Sequence, residues 1–120
     1  MESKQAPEWA PQWEILLDKL KDQFGKKPDL NAILFLIGIR ELGQVYRKFN
    51  KFQKQDLMHI AVCKLMSREG FYELEFTDQD GWPHWKLVKP LPFLDLLSQE
   101  RYLQQQVIQY FEEIDYFETV

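Results

Sequence analysis

Residues 29–43 read DLNAILFLIGIRELG, and this stretch decides the fold. Pro28 restricts Lys27 to an extended shape, and the Asp29 carboxylate suits the exposed N–H groups of a helix start. From Ile33 to Ile39 the residues are apolar on every side of a helix. The spacing therefore predicts a helix buried all round, with other elements against more than one face. Gly38 in its interior costs ~1 kcal/mol relative to alanine, a loss that a closely packed neighbouring backbone or ring would explain. Gly43 ends or kinks it.

Upstream, Trp9, Trp13, Leu16, Leu17, Leu20 and Phe24 recur at helical spacing and predict a helix over 8–24, with Pro11 in the first turn and Gly25 as its close. Downstream, Asn50 and Gln53 form a capping-box pattern that opens a third helix over 51–69. Residues 71–77 then alternate, and Asp78-Gln79-Asp80-Gly81 is turn chemistry, so a hairpin follows. With those four residues as the loop, Thr77 faces Trp82, Leu74 faces Trp85 and Tyr72 faces Leu87, while Glu73 meets Lys86 and Glu75 meets His84. Tyr72, Leu74 and Phe76 then share the core side. Pro90 and Pro92 force an extended crossing, and Asp95 or Ser98 starts a last helix whose apolar stripe is Leu96, Leu103, Val107, Tyr110, Phe111 and Ile114.

The expected fold is α+β, mainly α: four helices with one antiparallel β-hairpin between helix three and helix four. The element order is winged-helix-like, although the hairpin carries the densest acid of the chain, where phosphate contacts would need Lys and Arg. Residues 1–7 read as an N-terminal tail, 8–115 as a single domain and 116–120 as a C-terminal tail.

The chain has 120 residues, 45% of them hydrophobic, which suits one buried core. No apolar run approaches the ~20 residues of a membrane helix, and the N-terminus lacks a signal-peptide pattern. A single cysteine, Cys63, fits a reducing compartment, so a cytoplasmic protein is expected. The net charge of −4 conceals a polarised chain, with seven basic residues between Arg40 and Arg68 and five acids with no base between Glu69 and Asp80.

Candidate chemistry is sparse. Asp56, His59 and Cys63 share a helix face at i, i+3 and i+7, the spacing of metal ligands or of a Cys–His pair, but they give three ligands at most. No phosphate-binding loop and no GxSxG are present. No cofactor or resident metal is expected, and the balance leans against an enzyme. In residues 44–54, Tyr46, Arg47, Lys48, Phe49, Lys51 and Lys54 interleave base and aromatic, the logic of single-strand nucleic-acid binding. Alternatively, Phe49 and Phe52 plug the core at a helix corner.

The runs DLMHIAVCKL (Asp56–Leu65) and GFYELEFTDQDGWPHWKLVKPLPFLDL (Gly70–Leu96) resemble a small, uncharacterised family of bacterial proteins. The resemblance covers most of the chain after helix one and implies no activity. It leaves residues 80–85 as the most distinctive stretch. The function expected is a non-enzymatic interaction or self-association module. Trp82, His84, Trp85, Tyr116 and Phe117 are its proposed contacts with a protein partner or a second copy; nucleic acid is the alternative partner.

Overall fold

Each helix begins and ends for a local reason. The computed structural model describes residues 7–44, 48–93 and 95–117. Helix α1 (Ala10–Phe24) has Pro11 in its first turn and closes on Gly25 at φ +78°. Helix α2 (Leu30–Leu42) is capped by Asp29, whose Oδ1 accepts from the Ala32 amide at 2.8 Å. Helix α3 (Lys51–Ser67) carries the reciprocal cap: Asn50 Oδ1 accepts from the Gln53 amide at 2.9 Å and Gln53 Oε1 from the Asn50 amide at 3.0 Å. Strands β1 (Tyr72–Thr77) and β2 (Pro83–Leu87) follow, then α4 (Leu96–Glu113), capped by Asp95. The architecture is α+β, mainly α, with four helices and an antiparallel hairpin between α3 and α4. Residues 1–6 of the expected N-terminal tail lie outside the described residues.

The main core draws Leu16 and Leu20 from α1, Ile33 and Ile37 from α2, Leu65 and Met66 from α3, and Val107 and Phe111 from α4. A satellite core of Leu42, Leu57 and Ile60 is covered by Phe35, Ile39, Phe49 and Trp82. Helix α2 lies between the two. It is not sheathed on every side as its composition predicts: Ile33, Leu34, Ile37 and Gly38 are buried, whereas Phe35, Leu36 and Ile39 are half-covered. The two cores meet where α2 crosses α3. There a Cβ built on Gly38 would stand 2.1 Å from the Leu57 carbonyl oxygen, so the glycine is the contact that sets the helix separation.

Polar side chains fasten α4 to this pair. Arg68, at the end of α3, donates to the buried Gln106 at 3.0 Å and to Gln109 at 2.8 Å, and pairs with Glu113. The Tyr110 hydroxyl donates to Glu41 at 2.7 Å; burial and that carboxylate push the phenol up to about 12. Leu96 departs from its expected place. It stands 83% exposed, because the helix begins at the capping Asp95 and its first turn projects beyond the core.

The hairpin departs further. Tyr72 faces Leu87, Glu73 faces Lys86 and Leu74 faces Trp85 as expected, but a bulge at Glu75 then shifts the ladder by one residue. Phe76 therefore pairs with His84, in place of Glu75, and Thr77 with Pro83, in place of Trp82. The loop becomes Asp78–Trp82. Phe76 moves to the side of His84, where the two rings stack at 4.4 Å and 6°. Leu74, expected in the core, is 53% exposed, and Phe76 is 52% exposed.

Candidate functional site

Asp78 builds the hairpin tip. Its Oδ1 accepts from the amides of Asp80 at 2.9 Å and Trp82 at 3.0 Å, and its Oδ2 takes the His84 Nε2–H at 2.9 Å. His84 first, then the Trp82 amide, hold this carboxyl below the usual carboxylate range. Gly81, at φ +88°, completes the loop. The tip is then drawn back onto the helices: Gln44 Nε2 donates to the Asp80 carbonyl at 3.0 Å, and the Trp82 ring meets Phe49 edge-on at 6.3 Å.

That docking closes a cleft. Its volume is about 340 Å³, and it is walled by Asp56, His59 and Ile60 of α3 on one side and by Asp78, Trp82, Pro83, His84 and Trp85 on the other. Asp56, His59 and Ile60 stand at i, i+3 and i+4, so one face of α3 presents all three. His59 is braced edge-on by Tyr72 at 6.2 Å, and its Nε2 lies 3.4 Å from Cys63 Sγ. Trp85 Nε1–H is buried and has no acceptor among the described residues.

The five expected contact residues fall in two places. Trp82, His84 and Trp85 share the α3–hairpin cleft, with Trp82 also packed in the satellite core. Tyr116 and Phe117 line a separate cleft of about 360 Å³ between α1 and α4, with Ile15, Lys19, Ile108 and Phe111. They also pack on the main core: Tyr116 donates to Gln23 at 2.6 Å, Arg40 lies 5.3 Å from its ring, and Lys19 lies 5.2 Å from the Phe117 ring.

Of the basic–aromatic stretch, Tyr46 and Arg47 lie outside the described residues, and Lys48, Lys51 and Lys54 are exposed. Phe49 is packed edge-on between Phe35 at 6.4 Å and Trp82. Phe52, the other ring expected to plug the corner, is instead 74% exposed, one turn before Asp56 on the face of α3 that walls the cleft. The structure thus adds Asp56, His59 and Ile60 to the site. The i, i+3 spacing of Asp56 and His59 was the legible signal; His84 could be named as the hairpin residue that would have to join them, and the docked tip brings it to the same cleft.

Although His59 and His84 reach one cleft, no three His, Cys, Asp or Glu side chains among the described residues are grouped to hold a metal ion. Cys63 is fully buried, and desolvation pushes its thiol up to about 12. Thiol-specific reagents at neutral pH are therefore expected to leave Cys63 unmodified until denaturant is added. Stoichiometric labelling of the native protein would place the thiol at the surface instead. Among the described residues, no helix is long and apolar enough to cross a membrane. Comparison with known proteins finds no match to this chain among family models, curated proteins or solved structures.

Proposed function

We propose that this chain is a non-enzymatic docking module that binds a protein partner in the cleft between α3 and the hairpin. One observation carries the reading: the cleft continues into exposed apolar surface on both walls. On the helix side stands Phe52; on the hairpin side stand Leu74, opposite Trp85, and Phe76, stacked on His84. A concave site with two indoles, rimmed by exposed rings and leucine, has the composition of an interface centre. Covalent catalysis finds little support here, since the thiol beside His59 is buried and protonated and His84 is held by Asp78.

A second reading, single-strand nucleic-acid binding, is favoured by the exposure of Phe52 between Lys51 and Lys54. It ranks lower because Asp56, one turn along the helix from that ring, and Asp78 line the cleft, where they would repel phosphate.

The test replaces Phe52 with the photo-crosslinker p-benzoylphenylalanine in the cells that make the protein, with Gln105 on the exposed side of α4 as control. A discrete protein adduct from position 52 and none from 105 is expected. Equal adducts or none would remove the docking reading. An adduct at twice the mass of the chain would replace the partner with a second copy, and one lost on nuclease treatment would replace it with nucleic acid.

A further inference from the structure

The cleft's chemistry identifies what part of a partner it takes. Its lining carries two carboxylates, Asp56 on α3 and Asp78 on the hairpin, together with the indoles of Trp82 and Trp85. Asp78 is already engaged by His84 and two loop amides. The exposed Asp56 side chain enters no hydrogen bond or ion pair among the described residues. A cation entering here meets an uncommitted carboxylate, a second carboxylate that His84 holds below the usual range, and two side chains of the aromatic type that best attracts cations. The surrounding hairpin adds Glu73, Glu75 and Asp80, all exposed. Trp85, in the same wall, has a buried Nε1–H with no acceptor among the described residues.

We infer that the cleft binds an arginine side chain presented by a segment of the partner protein. A guanidinium is planar, stacks on indole and pairs bidentately with carboxylate, whereas an ammonium is a compact and more strongly hydrated charge. This rests on the docking reading above, and the test separates the two.

The probe is N-acetyl-arginine-N-methylamide, titrated into the ¹⁵N-labelled chain while the indole N–H signals are followed; Trp85→Phe assigns the Trp85 signal by its loss. The Trp85 indole signal is expected to shift saturably, and N-acetyl-glutamate-N-methylamide to leave it unmoved. Asp56→Asn, at an exposed helix position, is expected to raise Kd by about fivefold, the upper range for one exposed ion pair. Asp78 is left unaltered because it also holds the turn. A shift of equal size with the glutamate probe, no saturable shift, or an unchanged Kd in a folded Asp56→Asn would overturn the assignment. A position-52 adduct with a flat titration leaves docking and removes arginine; saturation without an adduct leaves a guanidinium site and removes the partner.

Discussion

Gly38→Ala is expected to lower stability by about 2–3 kcal/mol, near the top of the usual range for overpacking. The added methyl would stand 2.1 Å from the Leu57 carbonyl oxygen and 2.6 Å from its carbonyl carbon. Both are backbone atoms of a helix, so no side chain can turn aside; α3 as a whole must move away from α2. The intrinsic gain of alanine over glycine, up to ~1 kcal/mol, offsets part of the cost. For a domain of this size the melting temperature should fall by about 10 °C. Gly43→Ala is the control. A Cβ there meets no atom within 4 Å, and only the left-handed backbone at φ +78° resists it, a penalty of roughly 1–2 kcal/mol. Urea unfolding followed by circular dichroism measures both. A Gly38→Ala protein as stable as the parent would mean that the helices are not in backbone contact at Leu57.

Gly38 also shows how far a sequence can be read. A glycine inside an otherwise apolar helix announces a close approach, and the approach is there; which backbone makes it depends on the crossing of α2 over α3, which no local pattern encodes. The caps at Asp29 and Asn50 were legible because each depends on a side chain and an amide three residues away; for the last helix Asp95 was one of two candidates, and it caps the Ser98 amide. The hairpin's first three pairs were legible from alternation. The bulge at Glu75 was not, because the Asp78 carboxylate takes the Trp82 amide into the loop and lengthens it by one residue. That single change moved Phe76 to the face of His84. The site was legible only by halves. Trp82, His84 and Trp85 stood out as a distinctive edge, and Asp56 and His59 as a helix face. Their meeting depends on Gln44 and Phe49 drawing the loop back, contacts that span tens of residues of sequence. Tyr116 and Phe117 read as a tail beyond a last helix reaching about Ile114; in the structure they pack on Phe111 and line the α1–α4 cleft.

Trp82→Ala is expected to destabilise the protein by about 2–3 kcal/mol, somewhat below the usual cost of truncating a fully buried aromatic, because the ring is only half-buried. Two losses combine. The indole covers Leu42, Leu57 and Ile60 and meets Phe49, so its removal opens the satellite core to water. The same ring holds the hairpin tip against the helices, so the loop Asp78–Trp82 loses its apolar anchor while the Gln44 hydrogen bond to the Asp80 carbonyl remains. The damage should be graded in space. Amide exchange is expected to accelerate most at Gly81 and residue 82, whose hydrogen bonds close the loop, and least in the α1–α4 half, whose core does not include this ring. Trp82→Phe, which keeps a ring over Leu57, should recover most of the stability while narrowing the indole surface offered to a guanidinium. The pair therefore separates scaffold from site: one variant loses both, the other chiefly binding. A Trp82→Ala protein within about 0.5 kcal/mol of the parent, the range of an ordinary surface substitution, would show that the ring does not anchor the hairpin. The hairpin would then be held on the helices by the Gln44 hydrogen bond and the contact of Tyr72 with His59, and Trp82 would serve the cleft alone.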